Sequence, residues 1–315
     1  MSDAVSIVIP TLGRDTVLTD TIDSLLQLPT RAAEILVVDQ TPQHAAETTQ
    51  QLAQWNAEGA IRWIRLDRPS ITRSMNHGLR ESKSKLVLFL DDDIRPRGDI
   101  IAAHRRVHES TPGLWATVGQ VIQPWQHPAP LDAPRKLTGL RVDEDFPFHS
   151  TLDMDVQNVM AGNLCVRRDC AISIEGFDEN FQGSAYRFET EFAKRVIGAG
   201  GRIRFVADAG IDHLRVASGG TRTRGNHMTS ASPHHGVGDH YYALLHSTTT
   251  AEAYAYCFRR MFREVRTKFH LTHPWWIPVK LVGEARALLA ARRLVADRSK
   301  HDAQSGLSNL MEQIE

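Results

Sequence analysis

Runs of consecutive Val, Ile and Leu, each closed by a polar or acidic residue, constrain this chain more than any other feature. Residues 5–9 (VSIVI) are stopped by Pro10-Thr11-Leu12-Gly13, residues 35–38 (ILVV) by Asp39, and residues 85–90 (KLVLFL) by Asp91-Asp92-Asp93. A further strand-like segment occupies 61–66. Continuous rather than alternating runs mark strands buried on both faces. Between them lie helical signals: Val17, Leu18, Ile22, Leu25 and Leu26 after a capping Asp15, then residues 45–55 and 72–82. This alternation predicts an α/β fold with a Rossmann-like, mostly parallel sheet covered by helices on both faces. Ligands of such sheets bind outside the carboxyl ends of the strands, so Thr11, Asp39 and Asp91–Asp93 are expected along one edge.

The acidic triplet carries the first chemical inference. Three adjacent carboxylates at the end of a buried strand repel one another and lose hydration, an arrangement relieved by a cation. Ligands that are all oxygen suit a hard ion, Mg²⁺ or Mn²⁺, and such an ion commonly shares itself with substrate phosphates. The bland alternative is an acidic turn that caps the next helix. A chain of 315 residues with 42% hydrophobic content, 23% charge and zero formal net charge reads as an ordinary soluble protein and gives no sign of a nucleic-acid binder. Cys165, Cys170 and Cys257 lack disulfide or zinc spacing, and a reducing cytoplasm is expected. No basic-then-apolar leader and no run of about 18 apolar residues is present, so neither a classical export signal nor a membrane span is read.

Beyond Asp93 the pattern changes. A helix is expected over 98–109 and a strand over 115–122, followed by a Pro-rich excursion over 123–151 that folds over the site or faces an acceptor. Regular structure is expected again over 156–166, a helix over 189–199 closed by Gly200-Gly201, and a strand over 203–206. Residues 218–238, rich in Gly, Ser, Thr, Arg and His, read as a mobile loop, and 241–293 as helical with a break at Pro274 and Pro278.

Several of these segments together resemble the family 2, GT-A-fold glycosyltransferases. They are Val5-Ser6-Ile7-Val8-Ile9-Pro10-Thr11, Ile35-Leu36-Val37-Val38-Asp39, Arg73-Ser74-Met75-Asn76-His77-Gly78, Leu88-Phe89-Leu90-Asp91-Asp92-Asp93, Gly176-Phe177-Asp178-Glu179 and Glu189-Thr190-Glu191-Phe192 with Arg195. The ordered set, over about residues 4–216, carries the resemblance. It implies a GT-A domain over 1–216, with a nucleotide-sugar half to about 95 and an acceptor half from 96, and a loop and C-terminal helical extension over 217–315. The implied activity is metal-dependent, inverting transfer from a nucleotide-diphosphate sugar to a glycan, lipid-linked or small-molecule acceptor.

The resemblance also assigns residues. It makes Asp93 the main ligand of Mn²⁺ or Mg²⁺, Asp91 a ribose, base or metal contact, and lets Asp92 assist either role; His213 matches a further metal or diphosphate contact. Asp39 is the candidate base contact, since a carboxylate accepts from a ring imino N–H, although it also fits a helix cap. Pro10, Thr11 and Arg14 line the same pocket, and Arg73 and Asn76, on one helical face, address the nucleotide. Met75 departs from the family's frequent Arg. Glu189 falls at the position of the general base and Phe188 where a second acid is common. At a helix start the macrodipole lowers a carboxylate's pKa, so Glu189 is expected to be ionised at neutral pH. Glu191, two residues on, faces away and is expected to form a salt bridge. Two alternatives remain open: a noncatalytic nucleotide-sugar or glycan-binding protein of the same fold, favoured by Phe188, and a sugar nucleotidyltransferase, disfavoured by the glycine-poor turn after the first strand.

The C-terminal segment pairs Trp275-Trp276-Ile277-Pro278 with a basic run containing Lys280, Arg286, Arg292 and Arg293. Its own domain, a second subunit, or the inner face of a membrane would cover such a helix.

Overall fold

The computed structural model describes residues 3–132, 139–142, 144–216, 219–220 and 226–312, with side chains through 298. The chain divides into two compact units, residues 1–179 with 189–221 and residues 180–188 with 222–315.

The first unit opens with the expected alternation: β1 (Val5–Thr11), α1 (Thr16–Leu26), β2 (Glu34–Asp39), α2 (Ala46–Ala57), β3 (Arg62–Arg65), α3 (Ile71–Glu81) and β4 (Leu86–Leu90). It continues through β5 (Ile94–Pro96), α4 (Ile100–Ser110), β6 (Leu114–Ile122), β7 (Met154–Val156), β8 (Asn163–Arg167), α5 (Arg168–Ser173), α6 (Phe188–Gly198) and β9 (Arg202–His213). The sheet runs β3-β2-β1-β4-β8-β6-β9-β5, with β7 on β9. Strands β1 to β4 pair in parallel, as do β6 and β9, whereas β8 is antiparallel to both β4 and β6. The fold is thus a mixed, mostly parallel sheet between helices. Burying Ile7, Ile9, Ile35, Val37, Leu86, Leu88 and Leu90 against Leu18, Ile22, Leu25 and Leu52 builds the core that fixes the strand ends.

Several local expectations are corrected. Asp15 stands at the α1 N-cap position without capping it; its carboxylate instead accepts from the Ala45 N–H and meets His44. The expected single segment over 156–166 is two strands, because residues 157–162 leave the sheet between β7 and β8. The last strand is longer than expected, since β9 continues past Val206 to His213.

The second unit is helical: α7 (Val237–His246), α8 (Thr250–Val265), α9 (Lys268–Thr272) and α10 (Ile277–Glu312). Its interior holds charges. Asp239 accepts from Arg187 Nε (3.0 Å), Arg260 Nη1 (2.5 Å) and the Tyr256 hydroxyl (2.7 Å), while Glu284 accepts from Arg260 Nε (3.0 Å) and pairs with Lys280 (3.0 Å) and His240 (3.1 Å). Asp239, His240, Arg260, Lys280 and Glu284 are all buried. Despite burial, Arg260 and its neighbours hold Asp239 below its ordinary pKa, and His240, Arg260 and Lys280 bring Glu284 down to about 2. Arg187 joins this cluster from a left-handed backbone (φ 76°), a strained state that its buried ion pair offsets. The Arg222 and Arg224 of the expected mobile loop lie outside the described residues.

Candidate active site

Parallel pairing aligns Thr11 with Asp39 and Pro10 with Val38, and places the end of β4 beside the end of β1. Beyond β4 the chain bends through the triplet and separates its side chains. Asp92 turns inward and is buried: its carboxylate accepts from the Thr11 hydroxyl (2.7 Å) and pairs with Arg14 Nε (3.4 Å). Burial, opposed by Thr11 and Arg14, pushes Asp92 up to about 7. Asp93, buried as well, and the partly open Asp91 lie toward the end of β9.

There they meet His213. The β5–β9 ladder pairs Ile94 with His213, which returns the end of β9 to the triplet across more than a hundred residues of chain. His213 Nε2 lies 3.1 Å from Asp93 Oδ1 and 3.8 Å from Asp91 Oδ2. One candidate ligand atom from each of the three lies within 4.8 Å of the others. His213 Nδ1 is 3.1 Å from Gln123 Oε1, a contact that holds the ring with Nε2 toward the carboxylates. Acceptors facing one another in this way need a cation or a proton between them. Two oxygens and an imidazole nitrogen, with Asp91 partly open to solvent, fit a divalent cation such as Mn²⁺. Burial alone would raise Asp93, but hydrogen bonding and charge from His213, the Val216 N–H and Arg14 hold it below its ordinary value.

Arg14 ties this centre to the segment after β9. Its Nη2 reaches Asp93 (3.3 Å) and its Nη1 donates to the Val216 carbonyl (3.1 Å). The Gly220 N–H donates to the Leu12 carbonyl, and a Cβ at Gly219 would lie 2.4 Å from the Gly13 oxygen. Only glycine permits that approach.

Glu189 stands in the first turn of α6, and its Oε1 accepts from the Ala161 N–H at 2.5 Å. Although the side chain keeps a partial opening to solvent, its surroundings desolvate it and, with the nearby Asp91 charge, push it up to about 7, against the Ala161 hydrogen bond. The expected lowering by the helix start is therefore overturned, because loss of hydration outweighs a partial helix charge. Glu191 is the salt-bridge partner expected: both oxygens are held by Arg195 at 2.7 Å.

Ala161 and Gly162 reach the site because β8 is antiparallel to β4, which puts the entrance of β8, not its exit, beside Asp91. Gly162 accepts from the Asp91 N–H through its carbonyl, and a Cβ at Gly162 would sit 2.2 Å from Asp91 Oδ2. Nothing in the local sequence marks this pair. Gln123 and Trp125 were also missed; the latter lies beneath Arg215, whose guanidinium is 4.5 Å from the ring centroid.

Three of the residues expected to contact the nucleotide have protein partners in this structure. Asp39 is fully enclosed: Oδ1 accepts from the Thr41 N–H, and Oδ2 meets Trp63 Nε1 (2.9 Å) and His44 Nε2 (3.0 Å). This conformation offers no carboxylate face there to a base, nor a helix cap. Asn76 is buried, donating to the Phe177 carbonyl and Glu179 and accepting from the Phe177 N–H, so its amide braces the turn before α6. Arg73 is partly exposed and pairs with Asp67 at 3.9 Å, a surface contact.

The sheet order and the strand-end site define a GT-A fold. Three solved structures share it: the mannosyltransferase PcManGT from Pyrobaculum calidifontis in complex with GDP-Man and Mn²⁺ (17% identity, TM-score 0.53, 95% of this chain and 80% of that one); GalNAc-T7 with UDP, GalNAc and Mn²⁺ (14%, 0.57, 71% and 45%); and residues 1–349 of S. aureus TarS (14%, 0.57, 90% and 81%). The chain thus spans less than half the length of GalNAc-T7, and at these identities the likeness is one of fold. Residues 6–114 match the sequence model of glycosyl transferase family 2. No curated protein matches the chain.

Proposed function

We propose that the chain is a metal-dependent, inverting glycosyltransferase that moves a sugar from a nucleotide-diphosphate sugar to a hydroxyl acceptor, with Glu189 as general base. The observation that carries this reading is the meeting of Asp91, Asp93 and His213 at the strand ends, beside a partly open carboxylate raised to about 7. On this reading Asp93, Asp91 and His213 would hold Mn²⁺ or Mg²⁺. The ion would act as a Lewis acid toward the diphosphate. Arg14 and Thr11 keep Asp92 and Asp93 in place, and Pro10 and the enclosed Asp39 form the wall behind the donor. Residues 1–95 supply the nucleotide half and 96–216 the acceptor half of a catalytic domain.

A base works best with a pKa near the working pH, which Glu189 satisfies. Its carboxylate takes the acceptor hydroxyl proton as the acceptor oxygen bonds to the anomeric carbon and the anomeric C–O bond to the nucleotide diphosphate breaks, the diphosphate leaving with the bonding pair. Inversion is supported by elimination among the nearby acids: Asp91 and Asp93 face His213, Asp92 is held by Thr11 and Arg14, and Glu191 is locked by Arg195. Of these acids and Glu189, Glu189 alone is then placed to act, which suits a single displacement. The noncatalytic alternative rests on Phe188 standing where a second acid is common, and retained donor binding without transfer in the wild-type protein would favour it.

A thermal-shift screen of UDP-, GDP- and dTDP-sugars, with and without Mn²⁺, tests the assignment. One nucleotide class is expected to raise the melting temperature only with metal, and Asp93→Asn is expected to abolish that rise. Metal-independent stabilisation, or full stabilisation of Asp93→Asn, would refute the metal centre.

A further inference from the structure

The exposed charge of α10 is mostly cationic. Along α10 through Arg298 the acids are the buried Glu284 and the exposed Asp297, against the exposed Arg286, Arg292 and Arg293. Beside these arginines runs an apolar line. Trp275, in the turn that leads into α10, is 64% exposed, Val282 52% and Leu289 55%; with the exposed Pro278 they recur at helical spacing on one face. The opposite face of α10 buries Lys280, Gly283, Glu284, Ala287 and Ala291, so the helix already has its packing partners and the outward line is surplus to the fold.

We propose that this face of α10 docks on the surface of an anionic lipid bilayer. An interfacial helix combines aliphatic and Trp side chains that enter the headgroup boundary with Arg residues that meet anionic headgroups, and both are present on one face. A nucleic acid would use the arginines but leave the apolar line exposed. A second copy joined through a two-fold axis would bring the same arginines toward one another with a single carboxylate, Asp297, to answer them. No helix among the described residues is long and apolar enough to cross a membrane, so the contact is peripheral. The inference stands on this surface alone and is independent of the transferase reading.

Co-sedimentation of the full chain with vesicles tests it. Binding is expected to phosphatidylcholine vesicles containing about one-third phosphatidylserine, not to pure phosphatidylcholine, and about 0.5 M salt should release it. Arg292→Ala with Arg293→Ala should weaken partitioning about tenfold or more. Trp275→Ala with Val282→Ser and Leu289→Ser should do the same while leaving the melting temperature unchanged, since these positions are exposed. A blue shift of tryptophan emission on anionic vesicles, lost in Trp275→Phe, reports insertion independently. No binding to anionic vesicles at low salt, equal binding to neutral ones, or a triple variant that only converts a dimer to a monomer would overturn the proposal.

Discussion

Replacing Glu189 by Gln should make the protein more stable and the enzyme far slower, and the two effects have one cause. Burial raises Glu189 from an ordinary 4.5 to about 7, chiefly by desolvation. A carboxyl whose folded pKa lies above its unfolded value helps the folded state below the unfolded pKa, and that help is lost as pH rises through the folded pKa. Ionised Glu189 is therefore a burden that grows between about pH 4.5 and 7. At 1.36 kcal/mol per pKa unit the full burden is about 3 kcal/mol, and the partial opening to solvent brings it toward about 1–3 kcal/mol. Gln keeps an oxygen for the Ala161 N–H and removes the charge. Thermal unfolding should show the variant about 2–6 °C above wild type at pH 8 and nearly level with it at pH 5. In the same preparation, transfer should fall by about 10²–10⁴-fold with donor binding retained, and the wild-type rate should decline on the acid side with an apparent pKa near 7. A stability difference equal at pH 5 and pH 8 would show that Glu189 titrates normally and would refute the desolvation argument; unchanged transfer would refute the base.

Three further outcomes follow from the geometry. Gly162→Ala places a methyl group 2.2 Å from the present Asp91 oxygen, so Asp91 must move, and Mn²⁺ affinity measured by titration calorimetry should fall about tenfold or more. Asn76→Ala strips the buried Phe177 N–H and C=O of their partner and should cost about 2 kcal/mol or more in denaturant unfolding while donor affinity holds; loss of donor affinity without loss of stability would restore Asn76 to the nucleotide site. Arg260→Met leaves Asp239 and Glu284 buried with fewer partners and should cost about 3–5 kcal/mol, checked by chemical denaturation.

The first half of the sheet was legible because its signals are local. A continuous apolar run declares a doubly covered strand, and the residue that ends it is the residue at the sheet edge; Thr11, Asp39 and the triplet follow from that rule alone. Which way each side chain points was not legible. Asp39 and Asn76 are residue types that bind ligands, but here the buried groups they satisfy, Trp63 Nε1, His44 and the Phe177 backbone, come from segments whose approach no sequence window contains. The pKa of Glu189 failed for the same reason, because desolvation depends on what packs around the helix start, and a helix rule counts only the helix.

The direction of β8 links the two halves of the site. Were β8 parallel to β4, its exit would lie at the strand-end edge and would bring Arg167 and Arg168 beside Asp91. Because it is antiparallel, the entrance lies there instead, and the two residues before Asn163 touch both functional carboxylates: Gly162 packs against Asp91, and the Ala161 N–H holds Glu189. One short loop therefore sets the separation between the proposed metal ligand and the proposed base. Its glycine is needed for packing rather than for a turn, since no positive φ is found at Gly162. Any residue larger than glycine there must push Asp91 away from His213 or the loop away from Glu189, so the metal centre and the base are mechanically coupled through Ala161-Gly162.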